Sequence, residues 1–293
     1  WKNGQEQLAA STVDGKYYAI PGLRKYSPNR VIIARGDLMD KLGIETLNTI
    51  DDIDAYLMGV ADLNKKGQAN IVPYNSPGNA PWMIFSMWAS DWGWAAPGSL
   101  SYGGHFYYEI FDEKQQIFLA VDKPQAKEYS QIVKMWYDSG VFSMSILSNT
   151  TSAEEAYRNG KSAFAWTSSP ATANIIYNDL KLIPGTDKWD TRFYSMYSKI
   201  QKTFNFMKCA VSLSATSKNK EGALTVLNAV YENKDLYNLI RYGIEGRHYE
   251  LNEHGEYTPL TENYSGPSLG IVNEKFTFAT KYDFPYALDM VAE

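Results

Sequence analysis

Helix-period segments and short apolar runs alternate from one end of the chain to the other, and this alternation constrains the fold more than any other feature. Strands separated by helices bury their apolar sides by layering, so the class is α/β. The best helix is "NTIDDIDAYLMGVADLNKKG". Thr49 can cap it with Asp52 three residues on, and Ile50, Ile53, Leu57, Val60 and Leu63 recur at helical spacing. Lys65 and Lys66 suit its negative C-terminal end, and Gly67 stops it. Before it, "NRVIIARGDLMDKLGI" reads as strand Val31–Ala34 running into a short helix that Gly43 ends. After it come a short buried strand at Asn70–Tyr74, a Pro/Gly loop and an apolar helix.

Further along, "HFYYEIFDEKQQIFLAV" alternates about a polar turn at Asp112–Gln115, a hairpin pattern. "DKPQAKEYSQIVKMWYDSG" is a helix with Asp122 as cap, Pro124 in its first turn and Gly140 after its end. Ser152 and Glu155 form a capping box for a short helix ending at Gly160, and strand Ser162–Trp166 follows. "KLIPG" reads as a strand entering a turn, and "NFMKCAVSLSAT" as a longer strand. A helix pair capped at Ser217 and a hairpin around His254–Gly255 complete the pattern.

Several function classes fall away on composition. The net charge is -5 and no Lys/Arg block exceeds a pair, so no basic stripe offers itself to nucleic acid. No apolar run reaches the roughly 18–20 residues that cross a bilayer. The single Cys209 excludes an internal disulfide and a cysteine zinc cage. His105, His248 and His254 are the only histidines and lack metal-ligand spacing. "GKS" at Gly160–Ser162 lacks the upstream glycine of a phosphate loop and precedes a strand. No cofactor and no metal are implied.

What stands out is aromatic: 22 Tyr and 8 Trp, with Trp88, Trp92 and Trp94 around Asp91 in "SMWASDWGW". An indole face matches the C–H face of a pyranose, and a nearby acid takes the hydroxyls. The same residues also suit a packed helix end, since Trp is highly buried on average. A second candidate is "AFAWTSSPATANI", which puts Trp166, Thr167 and Ser168 at a strand end before a helix start. A third is "RYGIEGRHYE", a Gly-stopped helix that presents Glu245 and Tyr249 in a short loop. Asp91 and Glu245 are also the acids beside aromatic clusters on which a glycoside-cleaving enzyme would depend.

The order of these segments resembles the extracellular solute-binding proteins of family 1, the maltose-binding-protein-like components of ABC importers. "DGKYYAIP" is similar to the family's strand before the first interlobe crossover, and "VIIARGDLMDKLGI" to its crossover strand and helix. "SAEEAYRNGKSAFAWTSSPA" resembles the helix–"F-x-x-G-x-x-A-M"–strand element, and "KNKEGALTVLNAVY" the "N-K-E-x-A-x-x-F-L" helix. "YGIEGRHYEL" is close to a LipO-like lipoprotein subgroup.

The resemblance implies a two-lobed, periplasmic-binding-protein-like (type II) α/β fold with multiple interlobe crossovers and lobe 1 incomplete. Residues 1–30 and 179–240 would belong to lobe 1, and 31–178 and 241–293 to lobe 2. It implies capture of an extracellular solute, most simply an oligosaccharide, by hinge closure, and delivery to ABC permease subunits by a monomer without enzymatic activity. The ligand wall would hold Trp88, Asp91, Trp92, Trp166, Thr167 and Ser168, with Glu245 and Tyr249 from the later loop. Arg24, in a loop that departs from the family, is a weaker member. Trp92→Ala and Trp166→Ala would each weaken binding by about 1–3 kcal/mol.

Trp1 without an initiator Met, and a C-terminal "FPYALDMVAE" that reads as the start of a helix, suggest an internal fragment of a longer protein. The family is extracellular, on the cell surface or in the periplasm, and reaches the membrane only through an N-terminal lipid anchor. Binding of peptides or other solutes, a glycoside-active enzyme and a surface adhesin are the competing readings.

Overall fold

The computed structural model describes residues 8–9, 11–21, 30–78, 80–95, 106–114, 116–196, 210–260, 273 and 275–280. Arg24 and Cys209 lie outside the described residues. The chain forms two compact units: one from Trp1–Pro28 and Lys202–Lys281, the other, larger, containing Asn29–Gln201. Among the described residues the chain therefore passes between units twice, between 21 and 30 and between 196 and 210.

The first segment supplies three short strands, β1 (Thr12–Val13), β2 (Lys16–Tyr17) and β3 (Ile20–Pro21). Strands β1 and β2 pair around Asp14 and Gly15, both at positive φ.

The larger unit is built on β4 (Val31–Ala34), four consecutive residues that are all fully buried. A strand apolar on both faces belongs in the middle of a sheet covered on both sides. The helices α1 (Gly36–Leu42), α2 (Ile50–Lys65) and α3 (Ala80–Asp91) follow, then β5 (Trp94–Ala95), β6 (Phe106–Glu109) and β7 (Phe118–Leu119). Next come α4 (Pro124–Ser139), α5 (Ala153–Arg158), β8 (Phe164–Thr167), α6 (Pro170–Lys181) and β9 (Arg192–Ser195). Strand β4 is central, antiparallel to β8 on one side and to β9 on the other. Parallel bridges at Val72–Ser162 and Tyr74–Phe142 carry the pairing outward beyond β8.

Helix α2 shows how local chemistry places these elements. Thr49 and Asp52 form the capping box, each side chain on the other's backbone N–H. Ile50, Ile53, Leu57, Val60 and Leu63 face the core. On the same helix the Tyr56 hydroxyl donates to the Ala163 carbonyl at 2.9 Å and accepts from Arg35 N–H at 3.2 Å, tying α2 to the residues that follow β4 and precede β8. Thr49→Ala is expected to cost about 1 kcal/mol, measured by urea unfolding. Gly36 allows the start of α1 to approach the 190 loop: its N–H donates to the Asp190 carbonyl at 3.1 Å, where any Cβ would collide with that oxygen.

The smaller unit is completed by β10 (Ala210–Val211), which pairs with β3, and by α7 (Lys220–Glu232) and α8 (Lys234–Arg241). Strands β11 (Tyr249–Leu251), β12 (Glu256–Pro259) and β13 (Ala279–Thr280) form one sheet. Its core gathers Val230, Tyr237, Tyr242 and Tyr249.

Several elements differ from the sequence reading. "KLIPG" is a helix end and turn, and the strand lies later, at β9. The caps fall at Lys123 and Asn219, where the chain is extended or already bonded to the first turn, not at Asp122 and Ser217. The compact units also divide elsewhere than at 178/179 and 240/241. Strand β9 hydrogen-bonds along the whole of β4 and so stays with the larger unit. Residues 241–260 pack on α7 and α8 and so stay with the smaller one.

Candidate functional site

The tryptophans of "SMWASDWGW" lie in a continuous seam of rings along the core of the larger unit. Trp88 meets Tyr129 edge-on at 5.0 Å, and Trp92 meets Phe85 at 5.9 Å and Trp94 at 5.0 Å. Trp94 in turn sets its edge on Phe118 at 4.9 Å. The seam continues from Tyr129 through Trp136 and Phe142 to Tyr74 and Phe164. Tilted and edge-on pairs are what the ring quadrupole favours in packing.

Trp94 is fully buried, whereas Trp88 and Trp92 are half-buried against the same core. These rings are engaged by their neighbours, so most of their area explains stability. Asp91 is the last residue of α3, and its side chain lies outside the described part of the structure.

The second candidate sits differently. Val31 pairs with both Thr167 and Ser195, so the end of β8, the start of β4 and the end of β9 share one edge of the sheet. Both chain passages between the units begin beside that edge, just before Val31 and just after Met196. Trp166 is half-buried there, Thr167 is fully buried and Ser168 is exposed. The hydroxyl of Ser169 accepts from Thr172 N–H at 3.2 Å and caps α6, with Pro170 following it, so Ser168 is not used as the cap. The guanidinium of Arg30 lies over the Trp166 ring, 5.5 Å from its centroid. The sequence reading missed Arg30. Its only signal was position, as the last charged residue before the apolar run of β4.

The third candidate belongs to the smaller unit. Gly243, at φ +86°, ends α8 where a side chain would strike the His248 ring. His248 Nδ1 accepts from Ile244 N–H at 2.8 Å, and Gly246 N–H donates to the Tyr249 carbonyl at 2.8 Å. This closes the loop tightly. Tyr249 is buried against Tyr242, Tyr257 and Phe278 at 5.5–5.9 Å, and burial, then the charge of Glu245, pushes its hydroxyl pKa up. Glu245 is exposed. Packing thus accounts for the Tyr249 ring, while Glu245 is available to solvent.

Trp88, Trp92, Trp166, Thr167 and Ser168 therefore fall in one unit, and Glu245 and Tyr249 in the other. Among the described residues no group of three or more His, Cys, Asp or Glu could hold a metal ion. Among the same residues no helix is long and apolar enough to cross a membrane.

The architecture defines a class: this is the α/β, periplasmic-binding-protein-like fold. No protein-family model matches the chain. It is similar to a carbohydrate ABC transporter substrate-binding protein of Streptococcus pneumoniae serotype 4, 21% identical over 248 residues that make up 84% of this chain and 46% of that protein. Among solved structures it is similar to the N-glycan transport solute-binding protein NgtS of S. pneumoniae. The TM-score is 0.60 at 18% identity, over 94% of this chain and 56% of that one. An extracellular solute-binding protein from Bifidobacterium longum subsp. infantis gives the same TM-score, 0.60, at 18% identity over 88% and 54%. The resemblance read from the motifs holds at the level of fold, and the chain spans about half the length of the relatives it matches.

Proposed function

We propose that the chain is part of an extracellular carbohydrate-binding component of an ABC importer, and that it takes an oligosaccharide without altering it. The observation that carries this reading is the sheet edge bearing Trp166, Arg30 and Ser168. It offers a half-buried indole, a guanidinium that can donate to sugar hydroxyls and an exposed hydroxyl at one place. The likeness to NgtS supports it, because that protein has been crystallised in complex with Man5GlcNAc. So does the likeness to a carbohydrate-transporter relative. In this reading the larger unit is the ligand-bearing lobe and the smaller one is part of the other lobe. The whole protein works outside the cell, held by a lipid anchor or in a periplasm, and hands its ligand to permease subunits.

The test is calorimetric titration with Man5GlcNAc and a panel of other soluble oligosaccharides and peptides. A glycan that binds without being consumed supports the proposal; binding of peptides alone overturns it. Against such a glycan, Trp166→Ala is expected to weaken binding by about 1–3 kcal/mol through lost stacking and contact area. Trp92→Ala is expected instead to lower folding stability by about 3 kcal/mol with a smaller change in affinity, because its ring is held by Phe85, Trp88 and Trp94. The reverse ranking in paired titrations and urea melts would return the ligand to the Trp88–Trp92 segment.

A further inference from the structure

Two apolar side chains stand almost bare on a turn whose backbone is braced. Leu147 is 92% exposed and Met144 81%, while Ile146 between them is buried in the core of the larger unit. Bonds from Ile146 N–H to the Ser143 carbonyl, Ser148 N–H to Ser145 and Asn149 N–H to Ile146 wind residues 143–149 three to the turn. Positions three apart eclipse in such a winding, so Met144 and Leu147 share one face. The Asn149 amide donates to the Asn75 side-chain oxygen at 2.9 Å and ties the turn down. Gly78 runs alongside, close enough that a Cβ there would stand 3.4 Å from Leu147 Cα.

Topology sets where this surface lies. The bridges Val72–Ser162 and Tyr74–Phe142 are both parallel, so residues 72–74 and 141–142 run in the direction of β8. Residues after Phe142 therefore leave the sheet at the edge where β8 ends in Trp166 and Thr167. Phe164 and Phe142 flank the Tyr74 ring at 5.1 and 5.9 Å, which puts them at one level across the sheet. Trp166 and Met144 each follow two residues later, about 10 Å apart at two strand spacings.

We propose that Met144 and Leu147 form an apolar lip on the ligand edge, covering the C–H face of a second sugar while Trp166 holds the first. This rests on the sugar-binding reading above and adds the length of the ligand to it. Covering bare apolar surface is favourable, and a braced pair has little freedom left to lose on binding. Two rings joined through one glycosidic oxygen lie too close together to occupy both places. The lip therefore selects chains longer than a disaccharide.

The experiment titrates the whole chain with Man5GlcNAc and with a disaccharide of the same sugars. Leu147→Ser and Met144→Ser are each expected to weaken the longer glycan about three- to tenfold, and the disaccharide less than about twofold. Trp166→Ala should weaken both. Met144 and Leu147 are exposed, so urea midpoints of their variants should not move. A chain labelled at its nine methionine methyls gives a second readout. The Met144 signal, assigned through Met144→Ser, should shift with Man5GlcNAc and stay in place with the disaccharide. Unchanged affinities and an unmoved Met144 signal, while the wild type binds Man5GlcNAc, overturn the lip and leave the sugar reading standing. Equal losses for both glycans overturn its place as a distal contact. Self-association that Leu147→Ser abolishes, read by sedimentation, would give the surface to a second copy and overturns the lip as well. If the wild-type chain binds no glycan, the sugar reading falls and the lip falls with it.

Discussion

Trp136→Ala is expected to remove about 3–5 kcal/mol of folding stability, among the largest effects available to a single substitution in the larger unit. The ring is fully buried on α4, meets Tyr129 and Phe142 edge-on at 6.4 and 6.0 Å, and bonds through its indole N–H to Asp54 of α2. Alanine leaves a cavity in the middle of the seam and takes away Asp54's partner. Trp136→Phe separates the two contributions: it retains most of the packing and should cost about 1–2 kcal/mol, chiefly for the lost hydrogen bond. Both are read from urea unfolding. A loss under 1 kcal/mol for the alanine variant would mean that the seam does not carry the core.

The second large effect is alkaline. Tyr56, Tyr74, Tyr129 and Tyr157 are all held above the ordinary tyrosine value, in each case first by burial. The unfolded chain releases these four protons near pH 10, while the folded chain retains them. Above that pH the unfolded state binds fewer protons, so stability falls as pH rises. The contribution is fully present below pH 10, and is lost as pH climbs toward the raised folded values. Each residue adds up to about 1.4 kcal/mol per pH unit, and four together about 5 kcal/mol per unit. Tyr56→Phe should lower that slope by about a quarter, while costing stability at neutral pH through its two lost backbone bonds. A flat stability profile between pH 10 and 11 would contradict the burial of these rings.

Both experiments bear on how much could be read from residues alone. Helix α2 was legible end to end, because its cap, apolar spacing and basic last turn all agree. Strand β4 was legible as an uninterrupted apolar run. Strand β9 was not: "RFYS" mixes a charge, two aromatics and a serine, and only pairing with β4 makes it a central-sheet strand. That one strand also moved the division between the units. The proposed site is only partly a local pattern in the sequence. Trp166 and Ser168 follow from a strand end meeting a capped helix, which is a local pattern. The weighting of Trp88 and Trp92 was not local, since it depends on Phe85 of α3 but also on Trp94 and the distant Tyr129. Tyr249 was misleading for the same reason, its partners Tyr257 and Phe278 coming from other strands and loops. Arg30 gains meaning only once β8 is in place beside it.

The seam of indoles has an optical side. The centroids of Trp88 and Trp92 are 5.9 Å apart, and those of Trp92 and Trp94 are 5.0 Å apart. At such spacing light absorbed by one ring passes to the others faster than it is emitted, so the three report as a single chromophore. A small quencher that touches only the half-buried Trp88 or Trp92 therefore also darkens the fully buried Trp94. The chain carries its own antenna, and its brightness follows whatever covers the two outermost rings.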